Sequence, residues 1–141
     1  MFTTEHGWLA GIIDGEGCLT MYKGSGRGHT AIRTDARIES TSLLMIDTCA
    51  SIMQKIIGRV VTVGAPLTRS SSTRPAYRIQ IHRKRELLVF LDFIRPLLVN
   101  KRAEADLIVA YLRRSCAVKY YTPTSEDLEV IQVLKDLKKK Q

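Results

Sequence analysis

Nowhere in the 141 residues is there an uninterrupted apolar run of about 18, the length a membrane-spanning helix needs, so no span and no membrane partner are expected. The opening segment, MFTTEHGWLAG, has neither a basic start nor a long apolar stretch, so no secretion signal is expected. Cysteine is scarce. Cys18, Cys49 and Cys116 are odd in number, far apart and without metal-ligand spacing, and they read as reduced residues of an intracellular protein, cytoplasmic or organellar. His6, His29 and His82 do not cluster, which speaks against a zinc or histidine-metal centre. No glycine-rich loop ending in Lys-Ser/Thr and no Ser-His-Asp arrangement stands out, and no organic cofactor is expected. Low-complexity segments are missing too. What remains is a chain with 45% hydrophobic residues, enough for a core and of a length that suits one domain over residues 1–141.

Acids are in short supply relative to bases: 14 against 22 Lys and Arg, for a net charge of +8. The distribution says more than the total. Between Thr20 and Arg85 there are 12 basic residues and 3 acids, whereas the rest of the chain is slightly acidic. Charge spread for solubility would be more even. A concentration of this kind is the electrostatic footprint of a nucleic-acid surface.

The residues Trp8–Gly17, WLAGIIDGEG, carry the densest information. Read as a helix, they set Gly7, Gly11 and Gly15 four apart on one face, with Ala10 and Asp14 in the adjacent row. Glycine inside a helix costs about 1 kcal/mol relative to alanine, so three at one spacing suggest a seam where two helix backbones approach closely. Asp14 and Glu16 then fall at the helix C-terminus, where negative charge is electrostatically misplaced and a cation, such as a divalent metal, would compensate.

Further along, alternation over Cys18–Lys23 fits a strand, and the glycines of residues 24–29 a hairpin loop. Thr30–Glu39 reads as a second strand. Ser42 or Thr41 caps a helix that Gly58 stops. Arg59–Leu67 is expected to be a third strand, residues 70–75 a loop, and Ala76–Arg83 a fourth strand with Tyr77, Ile79 and Ile81 on one face and Arg78, Gln80 and His82 on the other. Helices are expected over Glu86–Ile94, over Asn100–Arg114 with Asn100 as cap, and after a capping box at residues 124–127. The fold class is therefore α+β, an αββαββα core with an antiparallel sheet and additional C-terminal helices.

Leu9, Ala10, Gly11, Ile12, Ile13, Asp14, Gly15, Glu16 and Gly17 align without a gap to the nine-residue motif of the LAGLIDADG homing endonucleases, and the αββαββα order resembles that family's core. Gly15 replaces the motif's alanine and Glu16 its second aspartate. The resemblance implies a site-specific double-strand DNA endonuclease of the intron-homing type. With one motif per chain, it implies a homodimer about a two-fold axis along the motif helix, with Gly7, Trp8, Ala10, Gly11 and Asp14 at the interface. It implies Mg²⁺, with Mn²⁺ or Ca²⁺ as substitutes in binding, held by Glu16 and the Gly15 carbonyl, while Asp14 stays with the helix end. A long, nearly palindromic site would be cut across the minor groove to leave short 3′ overhangs.

Lys101, after Pro96-Leu97-Leu98, matches the family's catalytic lysine and reads equally as a solvated lysine at a helix start. Ser42 could hydrogen-bond a metal water or simply cap its helix. DNA would lie on the sheet, contacted by Lys23, Arg33, Arg37, Arg78, Gln80 and His82, with Arg27, Arg69 and Arg74 from the loops. The alternatives are a non-catalytic nucleic-acid binder, such as an RNA maturase assisting splicing, and an interaction module that uses only the glycine seam.

Overall fold

The computed structural model describes residues 1–24, 31–68 and 74–140. Its elements run α1 (Thr4–Glu16), β1 (Gly17–Gly24), β2 (Ala31–Ser40), α2 (Leu43–Ile57), β3 (Tyr77–Ile81), α3 (Lys84–Ile94), a 3-10 turn (Arg95–Leu97), α4 (Arg102–Cys116) and α5 (Ser125–Lys138). The three strands form one antiparallel sheet in the order β1-β2-β3. The helices pack on its apolar face, so the expected α+β class is observed.

Three of the helix starts, those of α1, α2 and α5, have a side-chain cap. The Thr3 side chain accepts from the His6 backbone, and the His6 ring accepts from the Thr3 backbone, a reciprocal cap for α1. Ser42 accepts from the Met45 N–H at 3.2 Å to open α2, and Gly58, at φ 74°, closes it in the left-handed conformation that favours glycine. Thr124 and Asp127 form the capping box of α5. Pro96 sits in the 3-10 turn that ends α3.

The core is one cluster to which every element contributes. Leu9 and Ile13 of α1 meet Leu19 of β1, Ile38 of β2, Ile79 of β3, Met53 of α2, Phe90 and Leu91 of α3, and Ile108, Tyr111 and Leu112 of α4, each all but inaccessible. Burial of a large apolar side chain contributes about 1.5–3 kcal/mol, so this layer holds the sheet and helices in one arrangement.

Several expectations change. Residues 59–67 form no strand; only Leu67 pairs with Ala76, and Gly64 donates to the Arg78 carbonyl. Two residues separate Gly64 from Leu67 while one separates Ala76 from Arg78, a bulge occupied by Pro66, which has no N–H to offer. Hence the second ββ unit keeps one strand among the described residues. The cap of α4 is Lys101 rather than Asn100, without a side-chain cap bond. Leu43, Leu44, Ala103 and Val133, which share helical spacing with core residues, are exposed.

Candidate functional site

The C-terminal end of α1 is positioned by three contacts that reach across the chain. Both Asp14 carboxylate oxygens accept backbone donors, the Val99 N–H at 2.7 Å and the Lys101 N–H at 3.1 Å. In return the Lys101 ammonium donates to the Asp14 carbonyl at 2.8 Å. The positive charge that the helix end demands is thus supplied in part by Lys101, on a carbonyl the helix leaves open. Asp14 is tied into the fold, as its row suggests.

Glu16 is left over. It is exposed, the last residue of α1, and has no hydrogen-bond partner among the described residues. The strand begins at the very next residue. A side chain at Gly17 would lie 2.8 Å from the Ile13 backbone, so only glycine permits the helix to pass directly into β1. That zero-length junction aims Glu16 at the mouth of the sheet.

There it lines a depression of about 270 Å³ with Cys18, Arg37, Glu39 and Arg78. Arg78 donates from Nε to Glu39 at 2.6 Å and pairs with the same carboxylate through its Nη2. Arg37 donates to the Cys18 sulfur at 3.8 Å. Burial alone would lower the Arg37 pKa, but the bond to Cys18 and the charges of Asp35 and Glu39 raise it, so the guanidinium stays cationic. In the core, burial pushes the Cys49 thiol up to about 11, and the charge of Glu16 adds to the shift.

The polar face of the sheet follows from register. Cys18 pairs with Arg37 and Arg37 with Gln80; Thr20 pairs with Asp35, Tyr22 with Arg33, and Glu39 with Arg78. Arg33, Arg37, Arg78 and Gln80 therefore share one face, with exposed His82 just beyond. Lys23 does not join them. It pairs with Ile32 and follows Leu19 and Met21 at the period of two, which places it on the opposite face, at the far end of the strand. Arg74 is exposed ahead of β3; Arg27 and Arg69 lie outside the described residues. Sequence reasoning missed Tyr22, Thr20 and Cys18 on this face, although the alternation around buried Leu19 and Met21 marks them. The polar set of β2 read from the sequence, Arg33, Asp35, Arg37 and Glu39, is on this face, but the partners of its acids were not readable: Asp35 accepts the Thr20 hydroxyl and Glu39 holds Arg78.

Of the interface candidates, Gly7, Gly11 and Gly15 are exposed, and a side-chain carbon added to any of them meets nothing within 4 Å. Trp8 is 40% exposed beside them. Ala10 is different, being 1% exposed in the protomer's own core, so of these candidates the glycine stripe and Trp8 form the outer face of α1. Ser42 is occupied as a cap: its hydroxyl accepts from Met45 and its N–H donates to Ser40 Oγ at 3.0 Å. Among the described residues no three His, Cys, Asp or Glu side chains converge as a metal centre, and no helix is long and apolar enough to cross a membrane.

A helix ending in a carboxylate without a partner among the described residues, above a basic antiparallel sheet with helices behind, defines a fold shared with the LAGLIDADG homing endonucleases. The homing endonuclease I-CvuI in complex with its target, in the presence of calcium, superposes with a TM-score of 0.60 at 19% identity, over 95% of this chain and 94% of that one. LAGLIDADG homing endonuclease I-GzeII bound to its DNA target gives 0.66 at 9% identity over 94% of this chain, and I-SmaMI bound to cleaved DNA gives 0.64 at 14% over 92%. This chain spans 43% and 42% of those two. The sequence matches no protein-family model and no curated protein.

Proposed function

We propose that the protein is a site-specific double-strand DNA endonuclease that acts as a homodimer with a divalent metal. The observation that carries this reading is Glu16: a carboxylate held outward by a glycine-only helix-to-strand junction, without a partner among the described residues, beside the exposed glycine stripe. An evenly spaced stripe with no neighbour in its own protomer suits a second copy of the same helix. Two such copies would bring two Glu16 residues together at the axis.

These oxygen donors would suit a divalent ion. At the end of α1 one protomer offers the Glu16 carboxylate, with the Gly15 carbonyl adjacent, and Mg²⁺ takes few protein ligands and keeps its waters. When bound, such an ion supplies Lewis acidity toward a phosphodiester and activates water for its hydrolysis. Around it Arg37 contributes charge toward the phosphate, and Lys101, fastened two residues before Glu16, contributes positive potential at the helix end. Arg33, Gln80 and His82 meet the duplex in the major groove, which admits a β-ribbon. Several of the structural neighbours are endonucleases crystallised on DNA targets, with calcium or, in one case with the DNA not cleaved, with magnesium, which supports binding of DNA and a divalent ion here.

The test is to select bound duplexes from a randomised library and then add Mg²⁺, with wild type beside Glu16→Gln. A palindromic site cut on both strands only by wild type is the expected result. A selected site left intact by both proteins overturns the nuclease reading in favour of a non-catalytic binder. Failure to select any duplex moves the search to RNA and a maturase role.

A further inference from the structure

β3 ends at Ile81 opposite Ala36, while β1 and β2 continue as a pair to Gly24 and Ala31. Past Ala36 the sheet is thus a two-stranded ribbon among the described residues, narrow enough for the major groove of a DNA duplex. The polar face of this ribbon carries Tyr22 and Arg33, which stand opposite each other, both exposed. Ile32 and Thr34, on either side of Arg33 in the chain, are buried on the face that the helices cover.

Arg33 differs from the other arginines of this face. Arg78 is committed to Glu39 and Arg37 to Cys18. Arg33 makes no hydrogen bond and no ion pair among the described residues. The acid two residues along the strand, Asp35, is buried and accepts the Thr20 hydroxyl. All five N–H donors of the Arg33 fork are therefore uncommitted. Its stem is nevertheless held, because it lies over Gly24, diagonally across the ribbon. A side-chain carbon at Gly24 would fall 2.6 Å from Arg33 Nε, 2.9 Å from Cδ and 3.0 Å from Cγ. Gly24 is outside the left-handed region, so its backbone does not itself require glycine. What the glycine provides is the floor on which the arginine lies.

We propose that Arg33 is a specificity-determining residue that reads a guanine, and that Gly24 is its positioning residue. An arginine fork only donates, so it needs two acceptors side by side. Guanine alone offers them on its major-groove edge, at O6 and N7. Adenine and cytosine place a donor there, and thymine a methyl group beside its one acceptor. The place of contact follows from the ribbon. From Gly17, next to Glu16, to Tyr22, which pairs with Arg33, is five residues of strand, or about 17 Å. Successive nucleotides of a DNA strand are about 3.4 Å apart. The guanine therefore lies about five steps from the cleavage position, once in each half of the site. The guanine rests on the proposed function; the hold of Gly24 on Arg33 stands without it.

The test is a binding series on the duplex selected by wild type, with the base pair at this step changed to each of the other three. Wild type should bind the guanine site about tenfold more tightly than the rest. Arg33→Lys keeps the charge and gives up the fork, so it should lose this preference while the slope of log affinity against log salt stays the same. Gly24→Ala should lose most of the preference with Arg33 still present and thermal stability undiminished, because the methyl group displaces only a side chain. The double variant should discriminate no worse than Arg33→Lys alone, as two residues acting through one contact do. Full preference in Gly24→Ala overturns the positioning role. A selected site without guanine within a step of this position overturns the guanine assignment. So does an Arg33→Lys protein that keeps the full preference, or an Arg33→Ala protein that binds every duplex equally more weakly with a salt slope reduced by about 1, the mark of a phosphate contact. Each of these leaves the endonuclease reading intact. If wild type selects no duplex, that reading fails and the guanine assignment falls with it.

Discussion

Asp127 shows what one buried carboxylate secures. It is fully buried, accepts from Arg114 at 2.7 Å, from the Tyr121 hydroxyl at 2.5 Å and from the Thr124 N–H at 2.9 Å, and so docks α5 on the end of α4. Burial alone would raise its pKa, but the three donors and the Arg114 charge outweigh it and hold the carboxyl below the ordinary 3.8. A depressed folded-state pKa adds stability above the unfolded value and loses it as pH falls through the folded one. Asp127→Asn should therefore cost about 2–3 kcal/mol near neutrality, by denaturant unfolding, and the deficit should shrink below about pH 4. A pH-independent deficit would remove the charge from the explanation. This residue was legible only as a member of a capping box, because Arg114 and Tyr121 are brought to it by tertiary packing. Glu16 and Asp14 were legible in position and in the division between free and fastened. Their compensation by Lys101 was not, since 85 residues of sequence separate Asp14 from Val99 in contacts that only the fold creates.

At the scale of elements, the helices were readable because their signals are local: Ser42 and Gly58 bracket α2, Thr124 opens α5, and Pro96 follows α3. Two variants test this. Ser42→Ala should lower stability by about 1 kcal/mol while leaving DNA cleavage unchanged; a loss of cleavage at full stability would return the hydroxyl to the chemistry. Gly58→Ala, at φ 74°, should cost about 1 kcal/mol with no effect on DNA affinity. The expected strand over Arg59–Leu67 did not form, because alternation of apolar residues says nothing about hydrogen-bond partners, and Pro66 with the adjoining bulge removes the pairing that alternation invites. Face assignments failed in the same way for Lys23. Charge suggests a role on the polar face, but only the count from buried Leu19 and Met21 tells which side a strand residue takes.

At the scale of the whole molecule, the glycine stripe of α1 separates two descriptions of the protein. In an isolated protomer, a methyl group at Gly11 meets nothing within 4 Å, so Gly11→Ala would stabilise the helix by up to about 1 kcal/mol through propensity alone. In a dimer whose motif helices touch along Gly7, Gly11 and Gly15, the same methyl group holds the backbones apart. The two effects have opposite signs and different concentration dependence, since only association follows mass action. Gly11→Ala is therefore expected to melt above wild type at high dilution and below it at high concentration, with dimer dissociation at least tenfold weaker in affinity by sedimentation equilibrium. Stabilisation at every concentration, with the oligomeric state unchanged, would place the two-fold axis elsewhere. Glu16 would then face no second carboxylate, and the shared metal site would have to be abandoned along with the seam.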